Sequence, residues 1–96
     1  MENFAYEYLM LNKQWEDTDK ITIAENVEKY INEKIEDCTT WNIRVQKIAE
    51  ITDSKTDTVY AWLNRGRTRV KVPFLKLCKI ADYLKVDVSE FLKPKE

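Results

Sequence analysis

A single glycine, Gly66, and two prolines, Pro73 and Pro94, punctuate 96 residues. So little turn chemistry constrains the fold more than any other feature of the chain. Tight hairpins draw on glycine for positive φ. Helices need few such breaks, so a small all-helical domain is the expected class. The length excludes a large catalytic barrel or a doubly wound nucleotide-binding fold. With 44% hydrophobic and 34% charged residues, the chain has an ordinary globular balance rather than a disordered one.

The formal charge of −1 hides a separation. Residues 1–40 carry ten acids and four lysines, net −6. Residues 41–85 carry ten bases and four acids, net +6. A dipolar molecule with one basic face follows, and that face suits an anionic partner. The sequence has no histidine, and its two cysteines, Cys38 and Cys78, make neither a disulfide scaffold nor a zinc set. No metal and no cofactor are expected. No apolar run approaches the ~20 residues of a membrane span, and no signal peptide is visible. The simplest location is the cytoplasm.

Along the chain, Phe4, Tyr8, Leu11 and Trp15 recur at helical spacing, with Ala5, Leu9 and Met10 beside them. This stripe packs on the rest of the chain, forms part of a dimer, or offers a sticky surface to a partner. Residues 1–20 are therefore set apart as an extension or arm. Asp17, Thr18 and Asp19 offer caps for a helix over 20–37, striped by Ile23, Val27, Tyr30, Ile31 and Ile35. Thr39 or Thr40 caps a second helix over 41–52, with Trp41, Ile43, Val45, Ile48, Ala49 and Ile51 as its apolar positions. The polar run from Asp53 to Asp57 separates it from a helix over 56–64, whose inward side is Val59, Trp62 and Leu63. Gly66 is placed to end that helix. A basic loop follows, alternating Arg67, Arg69 and Lys71. Pro73 starts another helix, to about Lys85, striped by Phe74, Leu75, Leu77, Cys78, Ala81 and Leu84. Asp87 caps a last short helix holding Val88, Phe91 and Leu92, and residues 93–96 form a tail.

The stretch from Ile48 to Gly66 resembles a helix-turn-helix: Ile48-Ala49 near the front, Thr58-Val59 in the second helix, Trp62-Leu63-Asn64 before the glycine. The run from Lys79 to Leu92 is similar to the closing helices of the lambda-repressor/Cro-like, or XRE-like, family. The resemblance covers residues 21–92. It implies a five-helix repressor domain behind an extra N-terminal segment. It also implies a sequence-specific regulator of phage or mobile-element type, a repressor that binds a palindromic operator on double-stranded DNA as a homodimer.

By position in that motif, Thr56, Asp57, Tyr60 and Ala61 would face base edges in the major groove. Asp57 would either accept from a cytosine amino group or cap the helix, and Tyr60 would either touch DNA or simply pack. Arg44, Lys47, Lys55, Arg65, Arg67, Arg69 and Lys71 are the phosphate candidates, with a solvated surface as the plainer alternative. Ile48, Ala49, Val59, Trp62 and Leu63 are expected to hold the two helices at their angle. The chain departs from the family pattern in three places. Val45 stands where a glutamine is frequent, with Gln46 one position later. Asp53 replaces the usual turn glycine. Ser54 replaces a buried aliphatic residue, which thins the packing of that corner.

An enzyme is not expected, because no nucleophile has a legible base partner and no paired carboxylates stand out. The rival function is protein binding on the same fold, as an antitoxin or a phage-encoded inhibitor. The N-terminal stripe or the acidic first half would then be the surface used.

Overall fold

The computed structural model describes residues 2–35, 40–64 and 68–94. Among them lie five α-helices, one 3₁₀ helix and no strand, so the chain is all-α. The helices are α1 (Glu2–Asp17), α2 (Lys20–Lys34), α3 (Trp41–Thr52), α4 (Thr56–Leu63) and α5 (Phe74–Leu84). The 3₁₀ helix is Val88–Leu92. Cys38, Thr39, Arg65, Gly66 and Arg67 lie outside the described residues, and so does the expected glycine cap.

Short polar side chains set the helix starts. Asp19 accepts the Ile21 amide at 3.0 Å and begins α2. Thr40 accepts the Ile43 amide at 3.3 Å and begins α3. Asp87 accepts the Ser89 amide at 3.1 Å and begins the 3₁₀ helix. Helix α2 ends at Lys34 rather than 37: Ile35 leaves the helical region at φ −105°, ψ 85°. Its side chain stays buried. Pro73 sits at the N-cap of α5 with ψ 145°, so the helix starts one residue later than expected, at Phe74.

Two helices end on a left-handed residue other than glycine. Asp53 after α3 (φ 53°, ψ 49°) and Lys85 after α5 (φ 60°, ψ 42°) are left-handed. In both places the next amide reaches back five residues, Ser54 to the Ala49 carbonyl at 2.9 Å and Val86 to the Ala81 carbonyl at 3.0 Å. These are Schellman closures, which satisfy carbonyls that a helix end would leave open.

One apolar core joins the elements. Ile23, Val27 and Ile31 of α2 meet Val45 and Ile48 of α3, Val59, Trp62 and Leu63 of α4, Leu77, Ile80 and Leu84 of α5, and Phe91. Helix α2 packs on α4, α5 and the 3₁₀ helix, and α3 packs on α4 and α5. Four residues depart from the apolar stripes read in the sequence. Ile80 is buried although it was not in the α5 stripe, whereas Leu75 is 62% exposed. Ile43 is exposed on α3. Thr52 is fully buried, its hydroxyl donating to the Ile48 carbonyl at 2.7 Å. That backbone partner is what makes the burial tolerable.

Helix α1 is docked rather than loose. Tyr8 meets the Phe74 ring edge-on at 5.3 Å, and Leu11 and Trp15 pack against the core. The Trp15 indole donates to the Val72 carbonyl at 2.8 Å. Three of the four stripe residues therefore face the protein. Tyr6, Leu9 and Met10 are left 56–65% exposed on the outer side.

Candidate nucleic-acid interface

Helices α3 and α4 are joined by three residues, Asp53, Ser54 and Lys55. The left-handed Asp53 redirects the chain where a glycine would be usual. Asp tolerates that conformation better than most residues, because its short polar side chain bonds locally. Beneath the turn, Ser54 Oγ lies 3.2 Å from the Thr52 carbonyl, and the Lys76 ammonium donates to the same carbonyl. A cation at the C-terminal end of α3 also offsets the helix dipole. The corner beneath the turn is thus held by polar contacts. An open cleft of about 440 Å³ lies between the helices, lined by Gln46, Ala49, Glu50, Asp53, Ser54 and Thr56.

Helix α4 begins in solvent. Lys55 is its N-cap and gives no side-chain hydrogen bond. Asp57 therefore does not cap the helix. It lies in the first turn, where an acid still favours the helix dipole. Lys55, Thr56, Asp57 and Thr58 are all exposed. Tyr60 is half-buried against the core, and its hydroxyl donates to Asn42 Oδ1 at the start of α3. Packing and exposure coexist there. Ala61 is half-buried, and its carbonyl accepts the amides of Arg69 (3.0 Å) and Val70 (3.2 Å). The basic loop is thereby anchored on the last turns of α4. The inner side of the pair is as expected: Ile48, Ala49, Val59, Trp62 and Leu63 are all buried.

The cations divide into groups. Lys55 and Arg69 are exposed beside α4. The Arg44 guanidinium is half-buried and donates to Asn32 on α2. Lys47 lies on another side of α3, sharing a hollow with Lys34, Tyr83 and Lys85. Lys71 points back at α1: its Nζ donates to the Glu16 carbonyl at 3.2 Å and stands 4.3 Å from the Trp15 ring centroid. Arg65 and Arg67 lie outside the described residues. The structure thus gathers Lys55, Thr56, Asp57, Tyr60, Ala61 and Arg69, and sets Lys47 and Lys71 elsewhere.

Sequence reasoning missed Asn42, Thr58 and Lys76. A helix beginning Trp41-Asn42 gives Asn42 a place in the first turn, but nothing local couples it to Tyr60, eighteen residues on. It also missed a polar cluster where α2 meets the 3₁₀ helix and the residues that follow it. Tyr30 donates to Glu90 at 2.6 Å, Lys93 meets Glu90 at 2.7 Å, and the Asn26 amide donates to the carbonyls of Phe91 and Lys93. The Lys93 ammonium, followed by the Tyr30 hydroxyl, holds the Glu90 carboxyl below its ordinary pKa. The bond to Glu90 raises the Tyr30 phenol. Burial raises the Cys78 thiol, so it is mostly protonated at neutral pH.

Among the described residues no three metal-binding side chains are grouped to hold an ion, and no helix is long and apolar enough to cross a membrane. No protein-family model, curated protein or solved structure matches the chain.

Proposed function

We propose that this chain is a sequence-specific double-stranded-DNA-binding regulator of the lambda-repressor/Cro-like kind, a repressor of phage or mobile-element type that acts in the cytoplasm. In this reading α2 to α5 and the 3₁₀ helix are the five helices of a repressor domain, and α1 is an addition to it. The observation that carries the reading is the α3–α4 pair. Its second helix presents an exposed first turn, and a basic loop is hydrogen-bonded to its last turns at Ala61.

The mechanism is occupancy without chemistry. Helix α4 enters the major groove, where Thr56 and Asp57 reach base edges first and Tyr60 and Ala61 follow along the same helix. Asn42 sets Tyr60 by accepting its hydroxyl proton. Lys55 and Arg69 fix the register on phosphates, joined by Arg44 and, from the undescribed segment, Arg65 and Arg67. Lys47 belongs to a neighbouring basic surface, and Lys71 acts from behind the loop. One such domain makes few phosphate contacts, so a homodimer on a palindromic operator supplies the affinity. Bound DNA is closed to polymerase. No step needs a nucleophile, a metal or a cofactor.

The test is selection from random duplexes by the purified protein, followed by titration of the winner and a scrambled duplex at two salt concentrations. The expected result is an enriched palindrome, bound about 10³-fold or more above the scramble and weakened by salt. No enrichment and no binding at low salt would overturn the reading.

One observation favours a second reading, protein binding of the antitoxin or inhibitor kind. Tyr6, Leu9 and Met10 form an exposed apolar face on α1, and such faces mark interaction sites. Leu9→Lys with Met10→Lys separates the two readings, since DNA binding by half-sites survives it and capture of a protein partner through α1 does not.

A further inference from the structure

The extension that precedes the repressor-like part of the chain grips the basic loop from behind. Three contacts reach residues 69–72. The Trp15 indole donates to the Val72 carbonyl at 2.8 Å. Lys20, at the start of α2, donates to the Arg69 carbonyl at 3.3 Å. Lys71 donates to the Glu16 carbonyl at 3.2 Å, with its ammonium over the Trp15 ring. On the other side the loop is tied to Ala61 by the Arg69 and Val70 amides. The segment is therefore held between α4 and the α1–α2 junction. Each contact is made through backbone carbonyls of the loop or through Lys71. The two through carbonyls fix the course of the main chain, and the Arg69 side chain stays in solvent.

A loop with no regular structure of its own spends entropy to hold a cation at a chosen phosphate. Bracing it beforehand removes that cost at the moment of binding. We propose that α1 is a brace for the DNA-contacting loop, with Trp15, Glu16 through its carbonyl, Lys20 and Lys71 as positioning residues that set Arg69 against a phosphate. The inference rests on the DNA-binding reading. It gives the N-terminal extension a role in affinity without any contact to DNA. It also reassigns Lys71 from a phosphate ligand to a strut.

The test uses the full-length chain and Trp15→Phe, which keeps an aromatic ring beside Phe74 and removes the indole donor together with part of the ring that packs on the core and faces Lys71. Lys20→Met is the second variant, should Trp15→Phe lose its fold. Loop order is read by amide hydrogen exchange at Arg69 and Val70, with Ile48 and Val59 as internal controls. Binding is read as affinity and salt slope on selected and scrambled duplexes, in wild type, Trp15→Phe, Arg69→Ala and the double variant. The brace predicts about tenfold faster exchange at Arg69 and Val70 with the controls unchanged. It predicts affinity lower by about five- to tenfold on both duplexes alike, with a shallower salt slope. It also predicts little further effect of Trp15→Phe once Arg69 is alanine, because the two act on one contact. Equal losses from Trp15→Phe with and without Arg69 would overturn the proposal, as would an unchanged salt slope. Failure of the wild-type protein to bind any duplex would overturn it together with the DNA-binding reading, and the wild-type titration alone reveals that case. Faster loop exchange without a change in binding overturns the brace while leaving the DNA-binding reading standing.

Discussion

Lys85 closes α5 at φ 60° although its side chain gains nothing visible from that conformation. A left-handed residue with a Cβ costs about 1–2 kcal/mol, and glycine avoids the cost while losing more entropy on folding. Lys85→Gly is therefore expected to stabilise the protein by about 0.5–1 kcal/mol, seen as a higher urea midpoint at constant slope. Asp53→Gly should gain less, since Asp is better suited to the same geometry. Glu90 and Tyr30 give a second residue-scale expectation. The Glu90 pKa is lowered in the folded protein, so its contribution is present above the ordinary carboxylate range and is lost as pH falls through the lowered value. The Tyr30 pKa is raised, so its contribution is present below the ordinary phenol range and is lost as pH rises through the raised value. Thermal melts of wild type and Glu90→Gln should differ most between those limits and converge at acid pH. Little of this was legible in the sequence. Asp53 could be recognised as standing for a glycine, but the Tyr30–Glu90 bond joins residues sixty apart, and no local pattern encodes it.

At the scale of elements, much more was legible. The bounds of α3 and the start of α2 follow from caps and periodicity, and the start of α4 from the polar run that precedes it. The last turn of α2 did not, because a buried Ile35 continues the apolar stripe after the backbone has left the helix. Helix α5 shows the limit of a periodic stripe. Phe74, Leu75, Leu77, Cys78, Ala81 and Leu84 span too wide an arc for one neighbour, and the sequence does not say which edge is covered. The fold covers the Ile80 edge with the central core. Cys78 instead lines a small apolar hollow with Tyr8, Leu11 and Phe74, while Leu75 is left outside. The expected outcome is a sharp contrast between neighbouring substitutions. Ile80→Ala should cost about 2–5 kcal/mol, and Leu75→Ala should stay within about 0.5 kcal/mol, both by chemical denaturation. The candidate site divides in the same way. The α3–turn–α4 residues were legible because they are consecutive. The different destinations of Arg69 and Lys71 were not, since alternation in a loop says nothing about what lies behind it.

At the scale of the whole molecule, the net charge of −1 is a poor guide to how the protein would meet DNA in the proposed reading, because it sums −6 over residues 1–40 and +6 over residues 41–85. Attraction to DNA is local, and its salt dependence counts contacts rather than net charge. Each phosphate neutralised on B-DNA contributes about 0.9 to the slope of log affinity against log salt. Arg69 is an exposed cation tied through its amide to α4, and in the proposed reading it counts for one phosphate per protomer. Arg69→Ala should then reduce the slope by about 0.9 on a duplex carrying one half-site. On the full palindrome a homodimer places two copies of the same contact, and the reduction should be about 1.8. The ratio between the two duplexes is the informative quantity, since it does not depend on how many other cations take part. A ratio of two requires two protomers in equivalent contact with one site. A ratio of one means that a single protomer carries the binding, and the dimer would then have to be abandoned while the groove-reading role of α4 stood. Titrations of both duplexes across the same salt series, with wild type and Arg69→Ala in parallel, decide between them.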